Sequence, residues 1–220
     1  MYRAGLIAAA AACCLAVTIV AAQAPGRQGR GGAGAGAPNP NASPAPPAPA
    51  DPNQMQGQGR GGALFGKAHA NIAGPNGLTG TADFYEIANG GNSHMVQVIL
   101  SLQNAPPGLH GVHIHAVGKC EAPAFTSAGG HFDPGPAGDT NPDTNHPFHM
   151  GDLPNITVGA NGAGTMNVYT TRVTMGGPTG LFDTDGSAII IHANLDPGVG
   201  GPAGSGISGG PRIGCGVIER

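Results

Sequence analysis

Beyond residue 63 the chain runs as short segments of alternating apolar and polar residues, closed by Gly, Pro, Asn or Asp. Period-two alternation over a few residues marks a β-strand, and the punctuation is that of turns. The pattern predicts strands near 67–73 (KAHANIA), 80–87 (GTADFYEI), 94–103 (HMVQVILSLQ), 111–116 (GVHIHA), 155–159, 164–171 (GTMNVYTT), 186–192 (GSAIIIH) and 213–218 (IGCGVI). "GANG" at 159–162 has the composition of a hairpin turn. No stretch carries the period of a long amphipathic helix. Eight strands with turn signals imply an all-β fold, an eight-stranded antiparallel Greek-key β-sandwich or barrel. Two long irregular stretches, 117–154 and 193–212, interrupt the pattern. Structureless loops of that length in a compact domain are usually functional and need something to order them. A disulfide and a bound metal are the obvious agents.

Composition narrows the class. The 41 Gly and 21 Pro among 220 residues argue against a helical bundle, since these are the poorest helix formers. Only 10% of residues are charged, which excludes a coiled coil and a charge-rich disordered chain. The glycines follow no three-residue period, which excludes collagen. A formal net charge of -3 offers nucleic acid no large basic field. Residues 1–22 begin with Arg3, continue uncharged through AGLIAAAAACCLAVTIVAA, and end on Val20 and Ala22 before Gln23. That is the layout of a cleavable secretory signal. An uncleaved membrane anchor is the alternative, although the run is Ala-rich and weakly apolar. Residues 23–62 are Gly, Pro, Ala, Asn and Gln with scattered Arg and no hydrophobic period, the composition of a disordered linker. The domain is then 63–220, a common single-domain size. It holds five Lys and Arg against eleven Asp and Glu, a balance of -6 with His neutral. Cys13 and Cys14 leave with the leader. Cys120 and Cys215 remain, an even pair in an exported chain, and read as a disulfide. Export implies a periplasmic or secreted location, with no membrane span once the leader is cleaved.

Nine histidines, as many as Lys and Arg together, make a metal site worth seeking. His113 and His115 flank Ile114 in "GLHGVHIHAVG", and residues two apart on a strand share a face. An isolated pair of this kind is more often exposed or hydrogen-bonded than metal-bound. Here the chain adds His131 in "SAGGHFDP", His146 and His149 in "NHPFHMGD", Asp152, and His192 at the end of "AIIIHAN". Accidental clustering is the weaker reading. His69 and His94 lie on predicted strands away from this cluster and read as structural or surface residues, and Met150 reads as packing.

The sequence resembles the copper–zinc superoxide dismutases of the secreted bacterial kind. The matching pieces are "GLHGVHIHAVGKC", "SAGGHFDP", "HMGDLPNI", "DGSAIIIH" and "GGPRIGCGVIE", which keep the family's order and cover nearly all of 64–220. The resemblance implies copper ligands at His113, His115, His131 and His192, with His131 bridging to zinc. It implies zinc ligands at His131, His149 and Asp152, completed by His146. It makes Asp196 the carboxylate linking a copper-side to a zinc-side histidine, and Arg212 the arginine beside the open copper face. It pairs Cys120 with Cys215 and makes His110 a loop anchor. The chemistry asks for these types: imidazole suits both metals, zinc has no redox chemistry, and a guanidinium attracts and orients a small anion. The implied substrate is superoxide. One molecule is oxidised to oxygen and a second reduced to hydrogen peroxide, with His131 carrying a proton. The resemblance allows a homodimer, although no apolar patch is legible.

Two departures stand out. The familiar "HG" is missing eight residues after His131, where Asp139 stands. His146 is favoured over Asp139 as the remaining zinc ligand, because imidazole matches a three-histidine, one-aspartate site. Between His192 and Arg212 the sole charged residue is Asp196, so the usual array for steering substrate is absent. The competing function is non-catalytic copper and zinc binding, for metal buffering or delivery, on the same scaffold. Retention of all four copper-side histidines and Arg212 favours the enzyme.

Overall fold

The computed structural model describes residues 64–89, 93–135, 138–177 and 180–220. The expected leader and the linker lie outside the described residues. Eight strands form one closed antiparallel barrel: β1 (Leu64–Ala73), β2 (Thr79–Ala88), β3 (His94–Gln103), β4 (Gly108–His115), β5 (Asp152–Val158), β6 (Gly164–Thr170), β7 (Ala188–His192) and β8 (Arg212–Val217). Their order around the barrel is β1-β2-β3-β6-β5-β4-β7-β8. The β3–β4 and β6–β7 connections each skip two strands, which is the expected Greek-key crossing. Among the described residues helical structure is confined to two three-residue 3-10 turns, and no helix is long and apolar enough to cross a membrane.

The interior follows from alternation. On β3, Val96, Val98, Leu100 and Leu102 are fully buried. Phe84 stands opposite Val98 and Ala82 opposite Leu100, with Met166 of β6 opposite Leu100 on the other side. Each fully buried Val or Leu stabilises the fold by about 1.5–3 kcal/mol. "GANG" turns β5 into β6: Gly159 N–H donates to Ala163 O at 2.9 Å, and Gly162 takes φ +75°. β5 starts three residues earlier than its punctuation suggests. The register jumps from His110 opposite Ile156 to Val112 opposite Leu153, a bulge that accommodates Pro154, which has no N–H to give.

The same alternation positions the site. Val112 and Ile114 of β4, and Ile189 and Ile191 of β7, belong to the main core. His113, His115 and His192 therefore leave the outer face of these two paired strands. A second small core of Phe125, Ala128, Ala188, Ile190 and Cys215 occupies that face too. There Cys120 and Cys215 are disulfide-bonded, with Cα atoms 5.6 Å apart. The disulfide fixes the start of the β4–β5 loop to the last strand.

Candidate metal centre

The β4–β5 loop brings His131 to His115. Phe132 N–H donates to Ile114 O (2.9 Å) and Ala116 N–H to Gly130 O (3.0 Å), so this segment runs as a short antiparallel partner of the end of β4. Gly130 is required there, since a Cβ would lie 1.8 Å from Thr140 O. Farther along, the loop delivers His146, His149 and Asp152. The β7–β8 loop delivers Asp196. His113, His115, His131, His146, His149, His192, Asp152 and Asp196 come together in this one region.

They form two groups that share His113 and His131. In the first, His113, His115, His131 and His192 each offer a donor atom within 4.8 Å of the others. In each ring one nitrogen is committed. His113 Nε2–H donates to Asp196 Oδ2 (2.9 Å), His115 Nδ1–H to Gly129 O (3.0 Å) and His192 Nδ1–H to Gly210 O (3.0 Å). The opposite nitrogens, His113 Nδ1, His115 Nε2, His131 Nε2 and His192 Nε2, are buried without any hydrogen-bond partner. Four buried lone pairs facing one point would be costly unless an ion took them. The donor set therefore fits a metal that prefers nitrogen, with tautomers fixed from behind.

In the second, His113, His131, His146 and Asp152 each offer an atom within 4.8 Å of the others, and His149 adjoins this group through Asp152. His131 Nδ1 lies 2.7 Å from Asp152 Oδ1 and 3.3 Å from His149 Nδ1. His149 Nδ1 is 3.0 Å and His146 Nδ1 is 3.3 Å from Asp152 Oδ2. Two imidazole nitrogens facing each other beside one carboxylate suit four ligands around one ion, and three nitrogens with one oxygen suit tetrahedral zinc. His146 Nε2–H reaches Asp196 Oδ1 at 2.7 Å, so the Asp196 carboxylate spans His113 and His146 and joins the two groups. Asp139 faces its own turn, accepting from Asn141 N–H and the Thr144 hydroxyl.

Electrostatics differ between the groups. Burial pushes His131 down to about 4 and His192 down to about 3, and holds His115 well below its ordinary value. Burial also opposes charge on His146, but hydrogen bonds to Asp152 and Asp196 outweigh it and raise that ring to about 9. Burial works against charge on those two carboxylates as well, yet the histidine hydrogen bonds hold both well below the usual range. Arg212 stands opposite His192 in the β7–β8 ladder and donates from Nη1 to Phe125 O and from Nη2 to Gly129 O, each at 2.6 Å.

His110 bonds His192 O and Pro106 O at 2.8 Å each, an anchor as expected. His69 pairs with Asp83, and His94 with Glu86, away from the centre. Three supports escaped sequence reasoning. Asn155 exchanges two hydrogen bonds with the Asp196 backbone (2.8 and 2.9 Å). Arg172 Nη1 donates to Pro147 O (2.9 Å) and His149 O (3.1 Å). Asp143 ties one loop to the other. Asn155 lies in "HMGDLPNI" but carries no metal-ligand signature, and the bonds of all three go largely to backbone groups.

The family model for copper/zinc superoxide dismutase (SODC) matches residues 78–218. The chain is 41% identical over 132 residues to "Superoxide dismutase [Cu-Zn]" of Caulobacter vibrioides, covering 57% of this chain and 72% of that protein. It is 40% identical over 152 residues to the protein of the same name from Deinococcus radiodurans, covering 64% and 78%. The crystal structure of a SOD-like protein from Bacillus subtilis superposes with TM-score 0.56 at 30% identity, covering 70% of this chain and 99% of that one. The chain thus belongs to the copper/zinc superoxide dismutase family.

Proposed function

We propose that this chain catalyses dismutation of superoxide to oxygen and hydrogen peroxide. The observation that carries the reading is the pair of donor groups that share His113 and His131, with His131 facing both sides. His131 turns an unpartnered Nε2 to three other histidines and its Nδ1 to His149 and Asp152. Copper would be held by His113 Nδ1 and by Nε2 of His115, His131 and His192. Zinc would be held by His131, His146, His149 and Asp152. When bound, copper supplies one-electron redox chemistry and zinc, which has none, a fixed charge.

The protein does the rest. Two superoxide anions and two protons become oxygen and hydrogen peroxide, so each turnover needs protons delivered where the anion sits. His131 Nε2, facing the copper group, is the atom that can carry one of them whenever its lone pair is not given to copper. Arg212 binds the anion, and its two backbone hydrogen bonds hold the guanidinium beside His115 and His192. The four copper-side rings are at most 2% exposed, which keeps bulk water and larger reductants away. Asp196 orients His113 and His146 together. Residues 63–220 are the catalytic domain, exported by a cleaved leader at 1–22 and tethered by 23–62, and they work in the periplasm or outside the cell.

The test is superoxide consumption by purified protein loaded with copper and zinc, beside the metal-free protein. The loaded form should accelerate decay, and His113→Ala should lose copper and activity while zinc still fills. A loaded protein that binds copper at these histidines but leaves superoxide decay unchanged would establish metal storage or delivery instead.

A further inference from the structure

Asp143 lies three residues before His146 and belongs to neither donor group. It is only 4% exposed; its N–H donates to Asn141 Oδ1 within its own loop, but the hydrogen bonds of its carboxylate leave that loop. Oδ2 accepts from Gly206 N–H (3.0 Å), while Oδ1 accepts from Ser208 N–H (3.3 Å) and the Ser208 hydroxyl (3.2 Å). The Asp143 carbonyl accepts Gly201 N–H at 2.7 Å. Hydrogen bonds to an ionised carboxylate are roughly twice as strong as neutral ones, and here they fall on the stretch just before the one held by Asn194 N–H to Gly209 O (3.1 Å) and Ala193 N–H to Pro211 O (2.7 Å). Between Asp196 and Arg212 the β7–β8 loop has no charged residue and is mostly Gly, Pro, Ala and Ser.

Held in this way, the segment rests on His192. Gly209 takes φ +103°, and a Cβ there would lie 2.7 Å from His192 Cβ. The neighbouring Gly210 carbonyl accepts His192 Nδ1–H at 3.0 Å, which leaves Nε2 as the free lone pair. Asp143, Ser208 and Gly210 therefore form a short relay from the zinc-side loop to a copper-side imidazole.

We propose that Asp143 is a positioning residue for the copper side of the centre, fixing the tautomer and direction of His192 by holding Ser208 and Gly210 in place. The inference rests on the copper reading of the four-histidine group. It complements Asp196. One carboxylate runs from the second loop to His146, and the other runs from the first loop to the backbone beneath His192. The zinc-side segment and the copper-side support are thereby tied in both directions.

The experiment compares parent protein with Asp143→Asn, nearly isosteric but turning an amide toward N–H donors, with Asp143→Ala, and with Asp139→Asn as a control in the same loop. Three quantities are read: amide exchange at Gly206–Gly210 in metal-free protein, copper(II) affinity with zinc present, and the copper EPR spectrum. Both Asp143 variants should exchange faster at Gly206–Gly210, lose about tenfold in copper affinity, the scale for removing a support behind a metal ligand, and show altered nitrogen coupling. Asp139→Asn should match the parent. Native disulfide and a cooperative melt establish that a variant is folded. Folded Asp143 variants with the parent's copper spectrum and affinity within twofold would overturn the proposal, even if they melt lower, and so would unchanged amide exchange. If the parent itself takes no copper at these histidines, the copper reading fails and this inference with it. A parent that binds copper but leaves superoxide untouched removes only the catalytic reading, and Asp143 is still tested.

Discussion

His146 carries a carboxylate against each side of its ring, Asp196 at 2.7 Å from Nε2 and Asp152 at 3.3 Å from Nδ1. Asp139, which holds the family's usual spacing, spends its carboxylate on the turn around Asn141 and Thr144. His146→Ala should therefore cost at least about 100-fold in zinc affinity, beyond the loss of a mere supporting residue, while Asp139→Ala retains zinc. Competition titration checks this, and a reversed order of effects would return the ligand role to Asp139. The same ring sets a pH signature. Raised to about 9, it is protonated at neutral pH in the metal-free protein, so zinc must displace a proton from it. His131 at about 4, His192 at about 3 and His115 well below its ordinary value have already lost theirs. Zinc affinity should thus keep rising, by up to about tenfold per pH unit, from neutral pH toward the His146 value of about 9, whereas copper affinity at its own site rises much less there. Parallel slopes for the two metals would show that His146 is not the proton-bearing ligand.

Strands and loops divide the work, and they were unequally legible. All eight strands follow from alternation and turn residues, and the placement of His113 and His115 on one outward face follows from their being two apart beside buried Val112 and Ile114. The start of β5 was hidden because Pro154 reads as a stop until its bulge is seen. The candidate ligand residues were visible as residue types. The fixings of the loops were not, because Asp143, Asn155 and Arg172 bind largely to backbone groups, which carry no residue signature. The disulfide is one fixing that the sequence exposes, and it does two things. It closes 95 residues of chain, worth up to about 4–5 kcal/mol on the chain-entropy account. It also anchors the segment whose carbonyls, Phe125 O and Gly129 O, hold Arg212 and His115. Replacing Cys120 and Cys215 with Ser should lower the melting temperature and also reduce activity per bound copper. A variant that melts lower but keeps full activity per copper would confine the disulfide to stability.

The whole domain is an anion asked to attract an anion. Over 63–220 eleven acidic residues outnumber five basic ones, and the β7–β8 loop contributes no positive charge between Asp196 and Arg212. Much of the negative charge is spent: Asp152 and Asp196 are buried against histidines, and Asp143 against backbone N–H groups. Arg212 is the arginine fixed at the centre, and burial lowers its pKa only from a very high starting value, so it stays charged. Two opposed fields therefore act on incoming superoxide, a short-range pull from Arg212 and a diffuse push from the acidic surface. Salt screens both within a Debye length of about 10 Å at 0.1 M. With Arg212 removed the push weighs more against the pull of the bound metals, and screening it helps the substrate. Arg212→Ala should lower kcat/KM on the order of tenfold, within the range electrostatic steering spans, and Arg212→Glu should lower it further. The sharper expectation concerns slope. Against rising ionic strength the rate of Arg212→Ala should climb relative to the parent, and that of Arg212→Glu should climb more steeply still. Stopped-flow superoxide decay at a series of salt concentrations reads all three slopes, with copper occupancy measured in each sample. Three parallel lines would mean that Arg212 does not guide the substrate, and that attraction comes from the bound metals alone.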